Sequence, residues 1–275
     1  MPNSVYADLH IHTTASDGTF TPADAVNNAT NIGLAVMAVT DHDTVKGLEP
    51  AFAAACETNV QIVPGIEMGS DINGRDIHIL GYYIDYRSTA FLDYLTELNA
   101  QRMVRAKEMC ARLSAMGMNI SVADAMATAT GDVLTRAHIA RALVNKGLAH
   151  SITEVFDNYL GNGKSCFVPK YNLTSSDVIT SIKEAGGIPV LAHPKLSRAD
   201  DAVADLVEQG IEGIEAYCRD HSRADIRHYT EVAAKYGLTV TGGSDCHGPH
   251  TPGRFCMGSC GIDRDLFELL SDKRP

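Results

Sequence analysis

Residues 34–39 form a continuous apolar run (Leu-Ala-Val-Met-Ala-Val), which limits the folds open to this chain more than any other stretch. A strand with one wet face alternates apolar and polar residues, whereas an unbroken apolar run is typical of a strand buried on both faces. Such strands occur in parallel sheets that helices cover on both sides. The run therefore predicts an α/β fold in which strands and helices alternate along the chain.

The neighbouring sequence keeps to this alternation. Thr21 is suited to cap a helix, Pro22 to stand in its first turn and Gly33 to end it, so we predict a helix over residues 22–33. Apolar runs predict further strands at residues 5–9, 60–63, 76–83, 188–192, 213–217 and 238–242. Helical patterns predict helices at residues 47–58, 175–185, 200–209 and 225–236.

The alternation stops over residues 90–168, where four helical segments follow one another without a strand (90–117, 122–130, 136–146 and 152–160). We therefore predict a barrel made of residues 1–89 and 169–275, interrupted by an all-helical insertion over residues 90–168. A length of 275 residues suits an α/β barrel that carries such an insertion. Because the insertion departs from the barrel, we expect it to cover the barrel mouth as a substrate cap.

Composition narrows the class of protein. An apolar content of 45% is ordinary for a globular chain, and no apolar run approaches the length of a membrane span. Seven scattered cysteines and the lack of a secretory leader predict a cytoplasmic protein with reduced thiols. The formal net charge of −11 argues against binding of long duplex nucleic acid through a basic surface.

Polar side chains gather where the predicted strands end. His10 and His12 follow the first strand two residues apart and so point to the same face, and Asp17 lies in the turn beyond them. Later strand ends carry Asp41, His42, Asp43, Glu67, His78, His193, Asp245 and His247. Strand ends of an α/β barrel face one mouth, and imidazoles with carboxylates suit divalent metals. Six of the eleven histidines therefore predict a polynuclear metal site.

Four of these segments resemble the motifs of the PHP (polymerase and histidinol phosphatase) family of metal-dependent phosphoesterases. They are Asp8-Leu9-His10-Ile11-His12 with Asp17-Gly18, Thr40-Asp41-His42-Asp43, Ala192-His193-Pro194 and Gly243-Ser244-Asp245-Cys246-His247. Glu67 and His78 match the family pattern as well. The resemblance implies a distorted (β/α)7 TIM-like barrel that binds three divalent metal ions.

The resemblance also implies which residues bind each metal. One metal would be held by His10, His12, Glu67 and Asp245, a second by Glu67, His78 and His193, and a third by Asp17, His42 and His247. Glu67 and Asp245 would be the catalytic carboxylates, since they hold the hydroxide that bridges the metals. Such mixed ligands accept Mn²⁺, Zn²⁺ or Fe²⁺, and the oxygen-rich phosphate that completes the site favours Mn²⁺.

Charge points to an anionic substrate. Three divalent ions would outweigh the three carboxylates among the ligands, so the cluster would attract a phosphate group. Amidohydrolases with a strand-end His-x-His are the nearest confusable class, and they commonly bridge two metals with a modified lysine. The corresponding strand here offers Glu67 and no lysine, which favours hydrolysis of a phosphate ester.

Basic residues of the insertion suggest a second anion site. Arg102 and Arg105 are three apart on one helix face, and Arg136 stands at a helix start, where amide donors and a guanidinium can act together on a phosphate. The segment with Thr135, Arg136 and His138 resembles the Arg-Pro-His-Ile-Ala motif of one PHP subgroup, with Ala137 in place of proline. That subgroup contains nucleoside 3′,5′-bisphosphate phosphatases and 5′-to-3′ exoribonucleases.

We therefore predict a metal-dependent phosphatase that hydrolyses a phosphate monoester of nucleoside 3′,5′-bisphosphates, such as adenosine 3′,5′-bisphosphate to AMP. Short 5′-phosphorylated oligonucleotides are predicted as a second substrate. The predicted substrate-binding residues are Arg102, Arg105, Thr135, Arg136 and His138. Two alternatives are a histidinol-phosphate phosphatase, which would need an acidic pocket for the substrate amine, and a non-catalytic metal-binding PHP module.

Overall fold

A single seven-stranded sheet organises the protein, in the strand order β1 to β7. The computed structural model describes residues 5–169, 173–248 and 257–274. The strands are β1 Ala7–Ile11, β2 Val36–Val39, β3 Gln61–Ile72, β4 Arg75–Tyr82, β5 Ile188–Leu191, β6 Gly213–Cys218 and β7 Thr239–Gly243. The unbroken apolar run lies in and before β2, whose four residues are all buried, as the pattern predicted.

All neighbouring strands pair in parallel except β4, which runs antiparallel to both β3 and β5. The sheet closes because a parallel bridge joins Ile11, the last residue of β1, to Cys246 after β7. There the His12 amide donates to the Cys246 carbonyl at 2.9 Å, and the Cys246 amide donates to the His10 carbonyl at 3.2 Å. The predicted distorted (β/α)7 barrel is confirmed, and its closing seam runs through the first and last metal-binding motifs.

Helices surround the barrel and form the insertion. They are α1 Pro22–Asn31, α2 Leu48–Ala55, α3 Thr89–Ala115, α4 Val122–Met126, α5 Arg136–Asn145, α6 Ile152–Val155, α7 Ser175–Glu184, α8 Pro194–Ser197, α9 Val203–Glu208, α10 Arg223–Tyr236 and α11 Arg264–Ser271. A π-helix, Phe156–Leu160, continues α6. The α1 start is as predicted, since the Thr21 hydroxyl accepts a hydrogen bond from the Asp24 amide at 3.1 Å.

Two elements differ from the sequence predictions. The strand predicted at residues 60–63 continues to Ile72 and turns at Asn73-Gly74, where both residues have positive φ angles of 55° and 79°. Asn-Gly is the pair that a tight hairpin turn favours, so this hairpin had a local signal. The terminal helix α11 was not predicted, although Asp263 caps it by accepting from the Leu266 amide at 3.1 Å.

Apolar packing forms three clusters, one of which lies within the predicted insertion. The largest apolar cluster joins the outer face of the strands to the surrounding helices and includes Leu95 and Leu98 from the first half of α3. A second cluster lies wholly within residues 106–168 and includes Leu113 from the second half of α3. A third cluster joins residues of several strands to α11. The long helix α3 is therefore the element that connects the two parts.

Among the residues that the structure describes, no helix has the length and apolar character needed to cross a membrane.

Candidate metal centre

The end of β1 carries the first pair of predicted ligands into a fully buried setting. His10 Nε2 lies 3.5 Å from Glu67 Oε2 and 3.6 Å from Asp245 Oδ1. His12 Nε2 lies 3.3 Å from the same Glu67 oxygen and 3.2 Å from the same Asp245 oxygen. The two rings therefore converge on two carboxylates, one from β3 and one just after β7, although Glu67 and Asp245 are 178 positions apart in the sequence.

Glu67 lies at the centre of the cluster. Besides the β1 histidines, it contacts three more imidazoles: His42 Nδ1 at 2.9 Å, His78 Nδ1 at 2.7 Å and His193 Nε2 at 3.0 Å. His78 reaches the mouth from the first half of β4, because that strand runs opposite to its neighbours and starts at the mouth. A carboxylate between five imidazoles is placed as a bridging ligand would be.

Asp17 defines the other side of the cluster. Its carboxylate lies 3.4 Å from His247 Nε2, and 3.9 Å from both His42 Nε2 and His12 Nδ1. The His12 and His247 rings stack with centroids 4.2 Å apart. All nine predicted ligands thus lie in one cluster. Three sets of possible ligand atoms lie within 4.8 Å of one another, namely His12 with Asp17, His42 and His247; His10 with His12 and Glu67; and His42 with Glu67 and His78.

The donor set fits divalent metals. Within the described residues, five buried imidazole nitrogens of the cluster make no well-directed hydrogen bond, although all but the last face a carboxylate oxygen at 2.9–3.9 Å: His10 Nε2, His12 Nδ1, His12 Nε2, His42 Nδ1 and His193 Nδ1. A buried polar atom without a partner costs about 1–3 kcal/mol, so such atoms seldom accumulate in one place without a ligand. Mixed nitrogen and carboxylate oxygen donors are those that divalent transition metals take.

Electrostatics within the cluster are strongly coupled. Burial alone would raise the carboxyl pKa of Asp17, Glu67 and Asp245, yet the surrounding imidazoles hold each pKa well below its usual range. Burial also disfavours charge on His12, but Asp245 and Glu67 outweigh it and raise the His12 pKa to about 10. The carboxylates therefore favour a protonated His12, and a bound metal cation would take the place of that proton.

Three buried acids outside the predicted ligand set contact the predicted ligands or the segments that carry them, and Glu215 is the one that the motifs did not include. Glu215 on β6 pairs with His10 Nδ1 at 2.9 Å and accepts from the His193 amide at 2.8 Å. Asp41 accepts from the Thr13 and Ser16 hydroxyls, and Asp8 accepts from the Ser244 and Gly258 amides. An acid within an apolar strand, as in Gly213-Ile214-Glu215-Ala216, was the available signal.

The backbone of the mouth is strained at three residues. Asp43, His193 and Asp245 have φ angles of 47°, 26° and 50°, a region that favours glycine over residues with a Cβ. Two of these are predicted metal ligands and the third follows one. Such strain persists where the surrounding contacts hold the backbone, and it tends to cluster at functional sites.

The first helix of the insertion brings two predicted substrate residues to the mouth. Arg102 Nε pairs with the Asp43 carboxylate, next to His42. Arg105 is 5% exposed and donates from Nε to the Val168 carbonyl at 2.6 Å. Its Nη2 has no hydrogen-bond partner among the described residues. Burial lowers the Arg105 pKa to about 10, so the guanidinium still carries its charge at neutral pH.

The other predicted substrate residues lie at the start of α5. Thr135 is the N-cap, and its amide donates to His138 Nδ1 at 3.1 Å. Burial lowers the pKa of His138 to about 4, so the ring is neutral and its proton resides on Nε2. That buried Nε2 has no partner within the described chain. Arg136 donates from Nη2 to Asp76 Oδ2 at 2.7 Å.

Comparisons with known proteins agree with this geometry. A 3′,5′-nucleoside bisphosphate phosphatase of Chromobacterium violaceum is 33% identical over 90% of this chain and 89% of its own length. The 5′-3′ exoribonuclease Rnm of Escherichia coli K12 is 33% identical over 90% of this chain and 86% of its own.

Structural similarity extends over the whole chain. A protein from Bifidobacterium adolescentis described as a metal-dependent phosphoesterase superposes with a TM-score of 0.88 at 29% identity, over 98% of this chain and 96% of that one. The family model of the PHP domain matches residues 8–164. The family predicted from the sequence is confirmed, and the chain belongs to the PHP domain family.

Proposed function

We propose that the protein is a metal-dependent phosphatase that removes one phosphate from nucleoside 3′,5′-bisphosphates. Divalent metals bound in such a cluster lower the pKa of a coordinated water and neutralise phosphoryl oxygens. Glu67 Oε2 and Asp245 Oδ1 each lie 3.2–3.6 Å from the Nε2 atoms of His10 and His12, so these four side chains would hold metal ions together and the metals would supply such a water. The identity of these relatives at about 33% over most of the chain supports this class of reaction.

The observation that carries the substrate assignment is a pair of unpartnered donors on the cap. Arg105 Nη2 and His138 Nε2 are buried N–H groups without hydrogen-bond partners in the described chain. Arg102 lies within electrostatic range of both residues, since it lowers the pKa of each in addition to burial. Donors that a fold leaves buried and unpaired are costly unless a ligand accepts from them. A second phosphate, apart from the one at the metals, is such an acceptor.

We also propose that residues 90–168 act as the substrate cap. The insertion has its own apolar cluster, and two of its polar contacts with the barrel reach loops next to predicted metal ligands. The Thr130 hydroxyl donates to the Thr14 carbonyl at 2.8 Å, and Asn99 donates to the Asp43 carbonyl at 3.3 Å. A nucleoside held between cap and metals would have one phosphate on each side.

The proposal extends to the metals and to a second substrate. Nine imidazole and carboxylate ligands suit three divalent ions, with Mn²⁺ as the metal used in catalysis. We propose that the protein acts in the cytoplasm. Short 5′-phosphorylated RNA is a second candidate substrate, since the Escherichia coli relative is a 5′-3′ exoribonuclease and a terminal nucleotide of RNA also carries two phosphate groups. Histidinol phosphate, the alternative predicted from the sequence, has one phosphate and would leave the cap donors unpaired.

The test compares substrates with one and two phosphates. Manganese-loaded protein should hydrolyse adenosine 3′,5′-bisphosphate with a kcat/KM at least about 100-fold above that for AMP, since two charge-assisted hydrogen bonds are worth about 3 kcal/mol or more. Equal turnover of both nucleotides would overturn the two-phosphate assignment.

A matched pair of variants locates the second phosphate. Arg105→Gln should raise KM for the bisphosphate and leave hydrolysis of p-nitrophenyl phosphate unchanged. Arg112→Gln is the control, because Arg112 lies on the same helix but pairs with Glu108 and the Phe167 carbonyl. An equal effect of both substitutions would contradict the role of Arg105.

A further inference from the structure

One buried carboxylate lies between the metal cluster and the cap. Asp76 on β4 has a side chain that is 5% exposed. Its Oδ2 accepts from Arg136 Nη2 at 2.7 Å, and its Oδ1 lies 3.5 Å from His78 Nε2. The other nitrogen of that ring, His78 Nδ1, faces Glu67 Oε1 at 2.7 Å. Asp76 thus connects a cap residue predicted to bind substrate with a predicted metal ligand.

Strand geometry explains this placement. Residues i and i+2 of a strand point to the same face, so Asp76 and His78 project together, while Ile77 packs in the apolar cluster on the opposite face. Because β4 starts at the mouth, its first residues meet the insertion as well as the metal cluster. The i, i+2 spacing therefore brings Asp76 beside His78, and its position near the start of β4 brings it beside Arg136.

The arginine is held on its far side too. Arg136 Nη1 donates to the Leu160 carbonyl and to Asn162 Oδ1, both at 3.2 Å. Its guanidinium lies 5.5 Å from the ring centroids of Phe156 and Phe167. Asp76 supplies the contact that directs this fork toward the barrel, and the other four of these contacts come from residues 156–167.

We propose that Asp76 is a positioning residue that orients His78 for metal binding and Arg136 for phosphate binding. This role rests on the proposed function, which gives those two side chains their tasks. Metal-binding histidines commonly donate their second N–H to a carboxylate, which fixes the ring and its tautomer. With one Asp76 oxygen facing the ring at 3.5 Å and the other accepting from the guanidinium, metal and substrate sites share one support.

The Asp76→Asn variant tests the two contacts of the carboxylate separately from the shape of the side chain. Asparagine at position 76 has one oxygen, and an arginine can only donate to it, so the amide NH₂ group would face His78 Nε2. A ring that coordinates metal through its other nitrogen carries a proton on Nε2, and two donors would then oppose each other. Asp76→Asn therefore removes the carboxylate while keeping the shape and volume of the side chain.

The first measurement is manganese binding to the metal-free protein, which requires no turnover. Asp76→Asn should weaken at least one Mn²⁺ equivalent by about 10- to 100-fold, as measured by competition with a chelator and elemental analysis. Asp201→Asn is the matched control, since Asp201 pairs with Arg75 of the same strand at 2.7 Å on the surface. Binding by Asp76→Asn within twofold of wild type would overturn the proposal.

A second variant distinguishes loss of the carboxylate from a folding defect. Asp76→Glu keeps the carboxylate with one more methylene, and it should recover most of the Mn²⁺ affinity that Asp76→Asn loses. An equal loss in both variants, with thermal unfolding like that of wild type, would show that a carboxylate at this position does not support Mn²⁺ binding and would overturn the role of the carboxylate.

Kinetics with adenosine 3′,5′-bisphosphate tests the Arg136 contact. Asp76→Asn and Arg136→Gln should each raise KM at saturating Mn²⁺, and the double variant should exceed the larger single effect by less than twofold. Fully multiplicative effects would overturn the shared support. Failure of the proposed function would instead appear as no turnover by the wild-type enzyme, and it would leave the result of the Mn²⁺ measurement standing.

Discussion

Individual buried acids, more than the ligands themselves, fix the geometry of the metal cluster. Glu215 holds the His10 ring at 2.9 Å and the His193 backbone at 2.8 Å, so one side chain orients ligands from two strands. We predict that Glu215→Gln lowers Mn²⁺ affinity by about 10- to 100-fold, because the amide cannot accept at both positions in the same way. Isothermal titration of metal-free protein measures this, with Glu212→Gln as the surface control. Unchanged affinity would contradict a supporting role for Glu215.

Glycine at position 243 is required by close approach rather than by its backbone angles. A Cβ there would lie 2.3 Å from His10 Cβ and 2.4 Å from the His10 amide nitrogen. Gly243→Ala should therefore destabilise the protein by about 2–4 kcal/mol in urea unfolding, since the crowded atoms belong to the barrel seam. At Gly33, where φ is 73° and a Cβ meets nothing within 4 Å, alanine should cost only about 1 kcal/mol. Equal costs at both sites would exclude the steric explanation.

The clustering of the predicted ligands followed from the sequence at the residue scale, whereas the side chains that hold them in place did not. His10, His12 and Asp17 lie in one short segment, and most later ligands follow an apolar run, so the strand pattern predicts that they share one mouth; His78, which lies within β4, is the exception. Glu215 meets His10 across 205 residues of sequence, and Asp76 meets Arg136 across 60. Contacts of this kind depend on how distant elements pack, and no local pattern encodes them.

At the scale of elements, α3 joins two apolar clusters that lie in different parts of the molecule. Its first half packs in the barrel core, and its second half packs within residues 106–168. We predict that Leu113→Ala, at a fully buried position of the insertion cluster, destabilises the insertion by about 2–5 kcal/mol and leaves Mn²⁺ stoichiometry unchanged. Hydrogen exchange resolved by peptide should show faster exchange in residues 106–168 alone.

The matched variant is Leu206→Ala, which opens a cavity of the same chemistry in the barrel cluster. It should speed exchange around the barrel and leave the insertion protected. If Leu113→Ala instead released the bound metals, the insertion would not be a separately packed unit.

Strand direction was the element-scale feature that the sequence left open. An apolar strand near His78 was predicted, and β4 occupies nearly the predicted residues. Its antiparallel direction follows from the tight turn at Asn73-Gly74, because two residues cannot carry the chain across to a parallel neighbour. His78 consequently comes to the mouth from the start of a strand, unlike the other strand-borne ligands.

Across the whole molecule, metal binding and folding should respond to pH in opposite directions. In the metal-free protein, burial disfavours charge on both His10 and His12. Asp245 and Glu67 nevertheless raise the His12 pKa to about 10, and Glu215 and Glu67 raise the His10 pKa well above its usual value. A histidine whose pKa is raised in the folded state contributes stability that is fully present below the unfolded pKa of about 6.5. That stability is lost as the pH rises toward 10. Metal-free protein should therefore lose stability between pH 7 and 10.

Metal reverses this trend, because an imidazole must be deprotonated before it can coordinate. Mn²⁺ binding at pH 7 should release protons from the cluster, so affinity should rise with pH and the metal-loaded protein should gain stability relative to the metal-free form. Titration calorimetry in two buffers of different ionisation enthalpy counts the released protons, and thermal unfolding at pH 6.5 and 8.5 follows the stability of both forms. Identical binding heats in the two buffers would show that no proton leaves, and the coupling between His12 and its carboxylates would then be wrong.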